Sequence, residues 1–133
     1  MKRASCVVIV RNGRFAAIRS HKHGGRLCLP GGKTQIGLYG IMERPQDTAE
    51  RECVEEIGVV PIDLTAFYVA VDVDGFLVTL FYATISPLAE LESSEEGEAV
   101  WCTRQELLEN GAYAAHTAEW LPLYDELFAE VER

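Results

Sequence analysis

Positive charge is scarce in this chain. Twelve Lys and Arg stand against twenty-one Asp and Glu, for a formal net charge of −9. That shortage argues against a surface that grips DNA or RNA, because affinity for a phosphate backbone comes from Lys and Arg. No stretch approaches the roughly 18 apolar residues of a membrane span. The apolar run Cys6–Val10 after Lys2-Arg3 is short and Arg11 ends it, which is not the pattern of a signal peptide. Paired cysteines are missing as well. Cys6, Cys28, Cys53 and Cys102 are scattered among apolar neighbours, so a zinc site lacks its close ligand spacing. Buried free thiols in a reducing cytoplasm are the expectation. There are no repeats, low-complexity tracts or linkers, and 133 residues are expected to form one domain over 1–133.

What is present alternates between strand and helix signals. Ala4–Val10 reads as a strand, Asn12-Gly13 as a hairpin turn and Phe15–Arg19 as the returning strand. Ser20–Arg26 reads as a loop, and Leu27–Leu29 as a short strand ending at Pro30. A helix is predicted from about Pro45 to Ile57. Pro45 suits the first helical position, and Gly58 the left-handed one after the last turn. Ala49, Cys53 and Ile57 would face the core. Leu64–Val73 and Phe76–Ile85 are strand candidates joined at Asp74-Gly75. Pro87–Glu98 reads as an acidic loop, and Ala99–Cys102 as a short strand. Thr103 and Glu106 form a capping-box signature for a short helix ended by Gly111. Thr117–Glu132 should hold the last helix, with Trp120, Leu123, Leu127 and Val131 on one face and Pro122 limiting where it can start. The order of elements gives an α+β domain.

The chemistry concentrates between Gly37 and Val59. Glu52, Glu55 and Glu56 stand at i, i+3 and i+4, on one helix face with Cβ atoms about 5–6 Å apart. Three like charges there repel, and a hard divalent cation reverses that sign. Mg²⁺ takes a few carboxylates plus waters and substrate phosphates, at about 2.0–2.1 Å. Such a metal polarises phosphorus and lowers the pKa of a bound water. A plain solvated acidic face is the alternative for an arbitrary E-x-x-E-E.

The surrounding residues decide against that alternative. Gly37, Glu43, Arg51, Glu52, Cys53, Glu55, Glu56, Gly58 and Val59 fill every position of G-x5-E-x7-R-E-U-x-E-E-x-G-U, where U is apolar. This is the Nudix box, and Pro30-Gly31-Gly32 resembles the glycine pair that precedes the family's catalytic helix. The chain therefore resembles a Nudix (MutT-like) hydrolase.

The resemblance implies an α/β/α sandwich with a mixed sheet and a catalytic loop-helix-loop. It implies a Mg²⁺-dependent pyrophosphohydrolase, with Mn²⁺ able to substitute, cleaving a diphosphate linkage in a nucleotide. A nucleoside triphosphate is the leading substrate. ADP-ribose, a dinucleoside polyphosphate, or a non-catalytic nucleotide sensor are the alternatives. Glu52, Glu55 and Glu56 would hold metal, with a backbone ligand from Gly32. A further glutamate is expected from the segment holding Glu95, Glu96 and Glu98, and Glu98 is chosen because it lies nearest the strand. One of these glutamates would deprotonate water. Glu43, Arg51, Gly37 and Gly58 are assigned structural roles, Arg51 orienting a carboxylate.

Other residues are candidates for the substrate. Lys22, Arg26 and Lys33 flank the glycine pair and are placed to meet phosphates. Tyr39, Tyr68, Phe81 and Tyr113 are base-stacking candidates, although aromatics in strands are more often core. His21, His23 and His116 are acid/base candidates, although loop histidines are more often surface. One departure stands out. Gly37 follows Gly32 by five residues, where the family usually has one glycine serving both patterns. Gly32 is taken as the counterpart, with an insertion after it. The apolar residues Ile36, Leu38, Tyr39, Ile41 and Met42 in that insertion are expected to pack against the domain, a second subunit or the substrate.

Overall fold

Neighbouring residues of the first strand face opposite ways, and each face meets a different helix layer. The structure, a computed structural model, describes residues 2–128. Strand β1 (Arg3–Val8) sits inside a mixed four-stranded sheet of order β5-β1-β7-β6. There β5 is Gly31–Lys33, β6 is Ile62–Val71 and β7 is Leu77–Thr84. β1 runs parallel to β7 and antiparallel to β5. A second sheet is organised on β3 (Arg14–Ser20), which pairs with β2 (Val10–Arg11), β4 (Arg26–Cys28) and β8 (Gly97–Cys102). The single strand expected over Ala4–Val10 is thus two strands. The chain leaves the first sheet after Val8 and enters the second at Val10.

Because strand side chains alternate, two core layers form. Val7, Ile18 and Phe81 pack with Ala49, Cys53 and Ile57 of helix α1 (Pro45–Ile57). Val8, Phe15, Ala17, Leu80 and Tyr82 pack with Leu107 of α2 (Arg104–Asn110) and with Trp120, Leu121 and Tyr124 of α3 (Ala114–Phe128). Helices thus cover the strands on both sides, as the predicted α/β/α sandwich requires.

α1 has the predicted bounds. Pro45 takes the first turn, and Gly58 is left-handed at φ 69° with its N–H on the Val54 carbonyl. The capping box of α2 closes both ways. Thr103 Oγ1 accepts from the Glu106 N–H at 3.1 Å, and the Glu106 carboxylate accepts from the Thr103 N–H at 3.0 Å.

α3 corrects the reading. It starts at Ala114 and carries Pro122 inside it. A proline there costs about 3 kcal/mol in lost hydrogen bonding and strain. Burying Trp120, Leu121 and Tyr124, each worth about 1.5–3 kcal/mol, outweighs that cost. The buried face is Thr117, Trp120, Leu121 and Tyr124, while Leu127 is exposed. Val131 lies outside the described residues.

The long loop before α1 is a small arm. Glu43 N–H bonds the Gln35 carbonyl, Gly37 N–H bonds the Ile41 carbonyl, and Ile36 bridges Met42. A 3-10 turn over Leu38–Gly40 forms its tip, with Tyr39 left-handed at φ 67°. The arm does not pack on its own domain. Leu38 is 85% exposed and Tyr39 96%, and Ile36, Ile41 and Met42 are exposed too. Intramolecular packing of this segment is therefore not observed.

Candidate active site

The floor of a broad cleft follows from strand register. One row across the first sheet is Gly31, Cys6, Leu80 and Tyr68. The next row is Lys33, Ala4, Val78 and Ala70. All eight residues line a cleft of about 740 Å³, within the range of small-molecule sites.

One end of the cleft is acidic. Glu52 and Glu56 reach it from α1, and Glu96 reaches it from the residue before Gly97. Gly31 N–H donates to Glu56 Oε1 at 2.7 Å. Gly32 presses its backbone on Glu52, since an added Cβ would lie 2.5 Å from that carboxylate. A side chain there would push the Glu52 carboxylate aside, which favours Gly32 as the glycine this site requires. Gly37, by contrast, is extended at φ −80°, and a Cβ there would meet only the Ile41 carbonyl at an ordinary 3.6 Å.

Burial lifts the Glu56 carboxyl to about 8, and the charges of Glu52, Glu96 and Glu55 add to the effect. The Gly31 hydrogen bond works against it. Burial also raises Glu52, opposed by its bond to Arg51.

Arg51 holds this end together. Its Nη1 donates to Glu52 at 2.7 Å and to Glu55 at 3.2 Å, and its Nη2 to the Lys33 carbonyl at 3.1 Å. Nε and Nη2 also grip the Glu43 carboxylate. Glu55 sits at the edge of this group, its side chain 57% exposed and outside the cleft lining.

The other predicted residues divide. Lys22, Lys33, His23, His116, Tyr68 and Tyr113 line the cleft. Phe81 is buried core. Arg26, His21 and Tyr39 are exposed and outside the lining. Arg26 and Tyr39, expected to bind substrate, thus stand outside this cleft. Tyr39 rides the tip of the arm, and Arg26 points from β4 into solvent.

Glu98 also stands outside the lining. It pairs in register with Arg19 on β3 and meets that guanidinium at 3.5 Å, away from the cleft lining. Its neighbour two residues earlier, Glu96, takes the cleft position. Gly97 between them is pressed on β3, where an added Cβ would lie 2.0 Å from the Arg19 carbonyl.

Among the described residues, no group of three or more Asp, Glu, His or Cys is already gathered at metal-ligating distances. The donor set still suits a hard cation. Its members are carboxylate oxygens, two of them raised by burial and mutual repulsion, on a backbone that has no side chain at Gly32. A cation held by Glu52 and Glu56 would relieve that repulsion. When bound it would supply Lewis acidity toward phosphorus and a more acidic water.

These are the fold and the acidic cleft of a hydrolase that acts on phosphorus-containing anhydrides. The NUDIX domain model matches residues 1–124, and the chain belongs to that family. The family acts on nucleoside diphosphate derivatives and generally uses divalent metal ions.

Solved structures agree on the fold. A MutT protein from Bacillus halodurans is 22% identical with a TM-score of 0.70, over 90% of this chain and 80% of that one. A MutT NUDIX hydrolase from Burkholderia pseudomallei is 23% identical, TM-score 0.73, over 90% and 97%. An Ap4A hydrolase from C. elegans is 18% identical, TM-score 0.74, over 94% and 98%. No curated protein matches the sequence. No helix among the described residues is long and apolar enough to cross a membrane.

Proposed function

We propose that this chain is a Mg²⁺-dependent pyrophosphohydrolase, with Mn²⁺ able to substitute, that cleaves a diphosphate linkage in a nucleoside triphosphate. The observation that carries this reading is one cleft that brings carboxylates, ammonium groups and aromatic rings together. Glu52, Glu56 and Glu96 line it with Tyr68 and Tyr113, and Lys22 and Lys33 are on the same walls. Carboxylates suit a metal-bound polyphosphate, ammonium groups suit its remaining charge, and aromatic rings suit a base. A cleft of about 740 Å³ takes one nucleotide more readily than two joined by a polyphosphate.

In this reading Glu52 and Glu56 hold metal with the Gly32 backbone, and Glu55 joins from the rim. Arg51 orients Glu52 and Glu55. Glu96, or one of the helix glutamates, accepts the proton of the attacking water. The chain works as one domain in a reducing cytoplasm, to which its four free cysteines are suited.

A panel of nucleoside triphosphates, ADP-ribose and dinucleoside polyphosphates with Mg²⁺ tests the proposal. Release of pyrophosphate and monophosphate from a triphosphate is expected, and excess chelator should abolish it. Preference for another member of the panel would replace the substrate. Binding without turnover on every member would make the chain a nucleotide sensor.

A further inference from the structure

Phe76 is half-buried in the cleft lining, just before β7, and two ammonium groups rest on its ring. The Nζ of Lys33 stands 5.3 Å from the ring centroid and that of Lys2 5.4 Å. The sheet enforces this neighbourhood. Ala4 pairs with Lys33 on one side and with Val78 on the other. Two residues back along both strands, Lys2 and Phe76 fall on the same face. The backbone agrees, since Leu77 N–H bonds the Lys2 carbonyl at 2.8 Å.

Carboxylates are plentiful nearby. Glu52, Glu56 and Glu96 line the same cleft at one end, and Asp72 and Asp74 line it beside Phe76. Yet neither Lys2 nor Lys33 forms an ion pair among the described residues. An ammonium held on an aromatic face keeps its full charge, whereas one held by a carboxylate is already neutralised.

We propose that Phe76 is a positioning residue whose ring keeps the Lys33 ammonium un-neutralised and aimed into the cleft, ready for the phosphate chain of the substrate. This rests on the nucleotide reading of the cleft. Lys33 meets the phosphate and Phe76 acts through it. An exposed cation–π contact corresponds to roughly a two- to five-fold change in affinity.

Three variants test this: Phe76→Leu, which keeps apolar bulk without the π face, Phe76→Trp, which keeps the face, and Lys33→Gln. Phe76→Leu should raise KM for the preferred nucleotide roughly two- to five-fold, with kcat unchanged. Phe76→Trp should restore it. In the Lys33→Gln background, Phe76→Leu should add nothing further. An equal rise in KM with and without Lys33 would overturn the proposal, because Phe76 would then act by packing or by touching the base. So would a fall in kcat with KM unchanged. If the wild type hydrolyses no nucleotide, the functional reading fails separately. Calorimetric titration of inorganic tripolyphosphate into the same variants then tests the pair. Weaker binding in Phe76→Leu that depends on Lys33 supports the proposal, and unchanged binding overturns it.

Discussion

Arg51 and Glu43 meet fork to fork. Nε donates to one carboxylate oxygen at 2.9 Å and Nη2 to the other at 3.1 Å. Glu43 also accepts from the Thr48 hydroxyl at 2.9 Å and from the Gln35 N–H at 3.0 Å. One carboxylate thus ties the arm, the start of α1 and the guanidinium that steadies Glu52. The bidentate geometry adds direction as well as energy.

That carboxylate should govern acid stability. The Arg51 hydrogen bond is the main cause that holds Glu43 down at about 2, from an ordinary 4.5. A depressed carboxylate stabilises the fold above its unfolded pKa, and the gain is lost as pH falls through the folded one. Glu43→Gln should therefore destabilise the protein by about 2–3 kcal/mol at pH 7, and the gap to wild type should close between about pH 4.5 and pH 2. Urea unfolding at stepped pH measures it. A gap that stays constant down to pH 2 would show that the loss is packing rather than charge.

Glu56 should show the opposite balance of stability and activity. Its raised carboxyl means that, in chelator, the folded state binds more protons than the unfolded one between about pH 4.5 and pH 8. Stability then falls as pH rises across that window. Glu56→Gln, which carries no charge, should melt higher than wild type at pH 8 in chelator. The same variant should lose at least ~10²-fold in kcat with Mg²⁺, as when an electrostatic stabiliser is removed. Thermal melts and initial rates read the two effects, and a stabilised variant of full activity would remove Glu56 from the chemistry.

Glu96 and Glu98 give a paired comparison. Glu96→Gln should lower kcat, because its side chain enters the cleft. Glu98→Gln breaks only an exposed contact with Arg19, worth about 0–1 kcal/mol, and should leave rates within about two-fold. Rate measurements that reverse this order would restore Glu98 to the site.

Much of this arrangement was legible in the residue order, and the failures have particular causes. Helix α1 could be bounded because Pro45, Gly58 and the Ala49–Cys53–Ile57 spacing agree with one another. Glu98 could not be set apart from Glu96 in the sequence, because charge and nearness to a strand do not reveal which face a side chain takes. That depends on its pairing with Arg19 across the sheet. The start of α3 was hidden because Pro122 obeys a local rule that tertiary burial overrides. The packing of the arm stayed open for a related reason. Apolar letters state a preference for burial, but not whether a surface lies within reach.

The arm carries its own expectation. Tyr39 stands outside the cleft lining, so Tyr39→Ala should leave KM for every nucleotide within about two-fold of wild type. Exposed apolar side chains in a row favour association. Replacing Leu38 and Ile41 together by Ser should reduce self-association at high concentration, as read by sedimentation velocity. A variant that associates as strongly as wild type would show that the arm is inert.

The parallel seam between β1 and β7 sets an order of events. Arg3 pairs with Leu77 and Val8 with Tyr82, so the two central strands are separated by about seventy residues of chain. Closing so long a loop costs entropy before any contact repays it. Both core layers rest on that seam, since Val7 and Phe81 serve one and Val8 and Tyr82 the other. A nascent chain that has emerged only as far as α1 already carries its acidic segment, yet has no sheet to lay it on. The hydrolytic centre thus assembles late, as a product of long-range closure rather than of the motif that announces it.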